Sequence, residues 1–198
     1  FGVMKIENCI VKENTADLLG GGIYTENELT MEGGRVDGNT VNNSIFDRVS
    51  ACGGGVYLTA GTFTMNDGII SENTARINYA NNLYYASIGN GGGVYVSNNA
   101  VNHWVFFLNV VIFSRNSAEC TGYSAEAGYG GGVYVMGGEK KNEVYPGSFK
   151  MNGGTITDNA ADTGASGILV NNGERAYGES FLTNEEHIAY TGSGIFTL

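Results

Sequence analysis

The feature that most constrains this chain is a short motif of small residues followed by an apolar triplet, returned to again and again. It reads Gly20-Gly21-Gly22-Ile23-Tyr24, Gly53-Gly54-Gly55-Val56-Tyr57, Gly91-Gly92-Gly93-Val94-Tyr95 and Gly130-Gly131-Gly132-Val133-Tyr134. Weaker copies are Ala165-Ser166-Gly167-Ile168-Leu169 and Gly192-Ser193-Gly194-Ile195-Phe196. A second motif alternates with it, opening on a large apolar residue and closing on Asn ten residues later. It runs from Met4 to Asn14, Leu29 to Asn39, Phe63 to Asn73, Phe106 to Asn116 and Phe149 to Asn159, with a truncated copy at Phe181-Leu182-Thr183-Asn184. Self-similarity of this kind marks a stack of structural units, each burying a face against its neighbours.

Each pair of motifs encodes three short strands. Within Gly-Gly-Gly-Val-Tyr-Val the two Val point one way and Tyr the other, as a period of two requires. In the second strand Phe63 and Met65 face inward, and Thr62 and Thr64 outward. The third strand places Val11, Val36, Ile70, Phe113 and Ile156 inward. Gly clusters and Asn-Gly or Asp-Gly pairs break the strands, and no segment has a helical period with caps. The predicted fold is all-β: a right-handed parallel β-helix of about six rungs, three short strands each, forming one domain over 1–198 or a segment of a longer solenoid.

Composition narrows the function. The net charge is −10, from 10 Lys and Arg against 20 Asp and Glu. That balance argues against nucleic acid, whose phosphates call for clustered Lys and Arg. The longest apolar run, Trp104 to Leu108, is far short of the roughly 20 residues of a membrane-spanning helix, so no membrane insertion of this segment is expected. The 32 Gly cluster instead of falling at every third place, which excludes collagen. No signal peptide is visible, and a start at Phe1 instead of Met points to processing or excision from a longer chain.

The alternation of Gly-Gly-Gly-Val with Phe-x-x-Asn, here Phe63 to Asn66, Phe106 to Asn109, Phe149 to Asn152 and Phe181 to Asn184, resembles the β-helix repeats of bacterial surface proteins. It is similar to the passenger repeats of the polymorphic membrane protein family and of autotransporter adhesins. The resemblance spans nearly the whole chain. It implies a right-handed parallel β-helix, secreted or exposed at a bacterial cell surface, with a non-enzymatic role in adhesion toward a host or cell-surface ligand.

Candidate residues fall into columns. Asn14, Asn39, Asn73, Asn116 and Asn159 occupy one corner of successive rungs, where Asn tolerates a left-handed turn and stacked amides hydrogen-bond along the axis. Two residues after the inward apolar position of the third strand stand Glu13, Gly38, Glu72, Arg115 and Asp158. An acid-Arg-acid column invites comparison with the paired carboxylates of polysaccharide-degrading β-helices, but an exposed ion-pair ladder explains it more simply. Tyr24, Tyr57, Tyr95 and Tyr134, followed by Leu169 and Phe196, make an outward aromatic ladder. It either stabilises the sheet or stacks against sugars.

Five segments leave the Asn corner: 15–19, 40–52, 74–90, 117–129 and 160–164. The three long ones are expected to gather into one bulge beside the middle rungs. They carry Phe46, Tyr79, Tyr84, Tyr85, Tyr123 and Tyr129, the candidate binding residues, with carbohydrate as one partner class. The alternative to a binding face is a self-packed cover.

No cofactor or metal is implied. His103 and His187 are the two His, and Glu185, Glu186 and His187 are consecutive and would alternate between faces. No Ser-His-Asp set can be assembled, and no Gly-x-Gly-x-x-Gly opens a helix. The chemistry points to a non-enzyme. Of three Cys, Cys9 reads as inward core, while Cys52 and Cys120 lie in the first and third long segments and read as free thiols. Finally, the chain begins inside a second-motif strand and ends, by this alignment, inside a first-motif strand. Joining the end of one copy to the start of another restores the ten-residue offset seen from Gly53 to Phe63. That register predicts end-to-end self-association into filaments.

Overall fold

A computed structural model of the chain describes residues 3–44, 50–59, 61–78, 89–97, 105–121, 128–140, 143–145, 148–162, 165–170, 188–190 and 195–197. These residues fold as an all-β structure built of parallel sheets, and no helix occurs among them. The largest sheet joins copies of the second motif. Its order is Met4–Ile6, Leu29–Asp37, Phe63–Ser71, Val105–Ser114, Ser148–Thr157 and Ile195–Thr197, and Cys9–Lys12 pairs beside Met4–Ile6 on Leu29–Asp37. The two strands expected from each second motif stay separate in the first copy and are one long strand in the next four. A bend at glycines of positive φ, such as Gly33 and Gly68, divides it.

The first motif makes a second parallel sheet: Ile23–Thr25, Val56–Leu58, Val94–Val96, Val133–Val135, Ile168–Val170 and Ile188–Tyr190. Motif aligns with motif. Tyr24 pairs with Tyr57, Tyr57 with Tyr95 and Tyr95 with Tyr134. The glycine triplet has a separate reason at each place. Gly53 has a φ of 66°, which side chains rarely adopt. A Cβ on Gly54 would sit 2.5 Å from the Thr74 carbonyl oxygen, and one on Gly55 would sit 2.9 Å from Cγ of Asn73. The two motifs are thus one packing unit, because the third glycine leaves the space its corner Asn fills.

A third parallel sheet follows the corner Asn: Thr15–Ala16, Thr40–Asn43, Thr74–Asn78, Ser117–Thr121 and Ala160–Ala161. The sequence alone places these residues in connecting segments. Their alternation is legible afterwards: Val41, Ala75, Ile77 and Ala118 are buried, and Thr40, Thr74 and Arg76 are half-buried. Ala51–Cys52 and Gly89–Asn90 form a short pair, which bridges at Cys52 extend to Leu19 and at Asn90 to Tyr129. One antiparallel pair, Gly138–Lys140 with Glu143–Tyr145, stands apart from the two repeated motifs.

The main core lies between the first two sheets. Phe63, Met65 and Ile70 meet Val56, Leu58, Val94 and Val96, all essentially inaccessible, with Val36 and Phe113. Val11 and Ile156 pack against it partly buried, in register with Val36 and Phe113. The inward positions of the second motif are thereby borne out.

Cys9 is exposed. It lies opposite Gly34, at the bend, where inward and outward alternation is not carried through. The last first-motif strand is Ile188–Tyr190, paired with Ile168–Val170, and not residues 192–196. Ile195–Thr197 instead pairs with the long strand, Phe196 against Phe149. Since Met4 stands at the same position of the repeat, against Leu29, the two chain ends hold equivalent strands. Joining the end of one copy to the start of another would therefore place two second-motif strands in succession, and the ten-residue offset from first to second motif does not arise.

Candidate functional site

The corner asparagines form a continuous amide ladder. The backbone N–H and side-chain Nδ2 of Asn14 both donate to Oδ1 of Asn39, at 3.0 and 2.9 Å. Asn39 donates in the same two ways to Asn73, at 2.9 and 3.0 Å, and Asn73 to Asn116, at 3.1 and 3.0 Å. Asn116 repeats the pattern with Asn159, at 3.0 and 2.9 Å. The second Nδ2 proton turns back to a backbone carbonyl, Val11, Val36, Ile70 or Phe113. Asn39, Asn73 and Asn116 are fully buried, so every one of these bonds satisfies a group that water cannot reach.

The left-handed turn is not at the Asn. It falls on the residue before: Glu13, Gly38, Glu72, Arg115 and Asp158 have φ between 55° and 61°. The acid-Arg-acid column is therefore a row of turn residues at the surface. Within it Arg115 donates to Oε1 of Glu72 through Nε and Nη2, at 2.9 and 2.6 Å. Both side chains are about half exposed, and such a pair contributes about 0–1 kcal/mol.

A second amide ladder runs along the long strands. Asn152 donates to Asn109 at 2.9 Å, Asn109 to Asn66 at 2.6 Å, and Asn66 to Glu32 at 2.9 Å. The Phe-x-x-Asn motif held its signal, since those Asn recur at one offset from Phe63, Phe106 and Phe149. Two polar clusters were not foreseen. Asp37 accepts from Arg35 at 2.9 Å and from Ser71 at 2.5 Å. Glu119 accepts from Arg76 and Ser117, both at 2.7 Å. Burial raises the pKa of each carboxyl, but these hydrogen bonds outweigh it and hold both below their ordinary values.

The aromatic ladder is real but it is not an outward platform. Tyr24 and Tyr57 stack at 5.6 Å, and Tyr57 and Tyr95 at 5.3 Å, while Tyr95 meets Tyr134 edge-on at 5.1 Å. Tyr57, Tyr95 and Tyr134 are buried in a second core with Cys52, Tyr129, Ala165 and Leu169, and Leu19 and Met136 pack against it. Tyr24 alone is exposed, at 44%. The correction follows from the sheet, which is apolar on both faces, as parallel sheets commonly are. Burial pushes the Tyr57 phenol up to about 12 and Tyr95 well above its ordinary value. Phe196 is no member of the ladder, since Ala189 pairs with Leu169 in its place.

Of the candidate binding residues, Tyr129 lies in that second core, its N–H donating to the Gly89 carbonyl and its own carbonyl accepting from Gly91. It is not offered to solvent. Tyr79, Tyr84, Tyr85 and Tyr123, with Phe46, lie outside the described residues, as do His103, Glu185, Glu186 and His187. The flanks of the three long segments do sit side by side, Thr40–Asn43 with Thr74–Asn78 with Ser117–Thr121. No group of three or more His, Cys, Asp or Glu gathers among the described residues. All three Cys are free, and burial pushes Cys52 up to about 12.

No protein-family model, curated protein or solved structure matches the chain.

Proposed function

We propose that the chain is a right-handed parallel β-helix acting as a non-enzymatic structural or adhesive module outside a bacterial cell. The observation that supports this reading most is the unbroken amide ladder from Asn14 to Asn159. The Asn that closes each second motif is spent on the scaffold, holding one repeat to the next. The acid-Arg-acid column is spent on surface turns. Variation is left to the segments between the paired flanks of 40–52, 74–90 and 117–129, and those are the surfaces a cell-surface ligand would meet. An acidic, Gly-rich solenoid suits an exposed spacer that presents such segments.

A second reading, carbohydrate binding or cleavage at those segments, is favoured by their shared origin, since their flanks pair strand to strand. One experiment separates the two. The purified chain is incubated with a panel of acidic and neutral polysaccharides, and also with bacterial and epithelial cells. The proposal expects cell binding that is lost when 80–87 is replaced by a Gly-Ser linker, with no new reducing ends in any polysaccharide. Release of oligosaccharides would overturn the non-enzymatic reading. Cell binding unchanged by the replacement would remove this segment from the contact surface.

A further inference from the structure

The buried tyrosine column has a chemical property that its packing role does not need. It gathers oxidisable side chains into one contiguous file. Tyr24, Tyr57, Tyr95 and Tyr134 follow one another at ring spacings of 5.6, 5.3 and 5.1 Å. The Tyr95 hydroxyl lies 3.0 Å from Sδ of Met136, and the Cys52 thiol belongs to the same cluster. The file has one described exposed terminus, Tyr24. There the phenol donates to Oε1 of Glu26 at 3.0 Å.

We propose that this column is a one-electron relay that draws oxidising equivalents away from Met136 and the interior and settles them on Tyr24. Rings in van der Waals contact allow an electron to pass between neighbours. A phenol gives up its electron most readily when its proton has somewhere to go. Glu26 is within proton-transfer reach of Tyr24, whereas Tyr95 points its hydroxyl at a thioether, which is a weak acceptor and a poor base. A radical oxidant outside the molecule, or the Met136 radical cation it generates, supplies the driving force. In the second case an electron moves from Tyr24 through Tyr57 and Tyr95 to Met136, which is restored as the neutral thioether. The Tyr24 phenolic proton passes to the Glu26 carboxylate. Tyr24 is left as a neutral phenoxyl radical, and the oxidant has been reduced by one electron. Without the relay, the Met136 radical cation adds water, loses a second electron to the oxidant and releases two protons, which makes the sulfoxide.

The test compares the wild-type chain with Tyr57→Phe, which keeps the ring in the stack and removes the group able to carry the charge. Both are oxidised by photolysing ruthenium tris-bipyridyl with persulfate, which generates ruthenium(III) and the sulfate radical, a one-electron oxidant strong enough for a thioether, and separately by hydrogen peroxide, which transfers oxygen directly to thioethers. Peptide mass spectrometry reads Tyr24 and Met136 in each. The expected result is that Met136 sulfoxide rises several-fold in Tyr57→Phe under the ruthenium oxidant and is unchanged under peroxide, while Tyr24 is the most modified tyrosine of the column in the wild type. Equal Met136 oxidation in the two proteins under the ruthenium oxidant overturns the relay. So does a rise of the same size under peroxide, which would report altered packing alone. A Tyr24→Phe chain that spares Met136 as well as the wild type does would likewise overturn it.

Discussion

The corner Asn was legible as a position and as a stacking group, because ten-residue spacing from a large apolar residue recurs five times. Its backbone role was not. The turn belongs to the residue before it, where Glu13, Glu72, Arg115 and Asp158 carry no shared side-chain chemistry that would announce a left-handed φ. Only Gly38, the one member of the column suited to it, carries the signal. Cys9 was misplaced for a related reason, since parity along a strand does not survive a bend at glycine. The ladder predicts unequal costs. Asn73→Leu leaves the Asn39 N–H and one of its two Nδ2 protons buried without partners and removes the bond to the Val36 carbonyl, and is expected to cost about 3 kcal/mol or more. Asn14 is exposed and side-chain bonded only as a donor to Asn39, so Asn14→Ala is expected to cost about 1 kcal/mol. Urea unfolding of the two variants measures the difference, and equal costs would show that the ladder does not hold the interior.

At the scale of the element, the glycine triplet was readable as a strand signal, and its register with the next copy is the one the sequence suggests. Which face of that strand is covered was not readable. Val-Tyr-Val alternates apolar with amphipathic, and a Tyr suits an exposed face as well as a buried one. The cover comes from Cys52, Tyr129 and Ala165, residues far apart in sequence. The strands after each Asn were hidden because they open segments of differing length, 13 residues in one repeat and 17 in the next, which reads as a loop. Glycine itself gives a sharp contrast. A Cβ on Gly54 would collide with the carbonyl oxygens of both Thr74 and Gly92, so Gly54→Ala is expected to prevent stable folding at ambient temperature. On Gly153 the nearest described atom would be 3.5 Å away, so Gly153→Ala is expected to change stability by less than about 1 kcal/mol. Thermal melts followed by circular dichroism distinguish them, and a Gly54→Ala chain melting like the wild type would refute the close packing of Gly54 on Thr74.

At the scale of the whole molecule, the buried second core sets an alkaline limit. Burial raises Cys52 from 9.0, and Tyr57 from 10.0, each to about 12, and raises Tyr95 well above its ordinary value. The unfolded chain loses these protons first, so it binds fewer protons than the folded chain between 9.0 and about 12. The contribution of these groups is therefore fully present below pH 9.0 and falls as pH rises through that window. Denaturant midpoints should be level from neutral pH to 9.0 and decline above it, and Tyr57→Phe should flatten part of the decline. A midpoint that rises across the window would contradict the burial. The proposed β-helix requires the repeats to stack in register. Glu13 and Asp158 occupy one surface column, four repeats apart, with exposed side chains. Successive parallel strands lie about 4.8 Å apart, which places the two backbones about 19 Å from each other. Spin labels at these two positions, in a chain whose native cysteines are replaced, give the distance by pulsed electron resonance. The account predicts a single narrow distribution centred near that separation, widened by the label arms; a distribution centred beyond about 35 Å, or a broad one without a maximum, would contradict it.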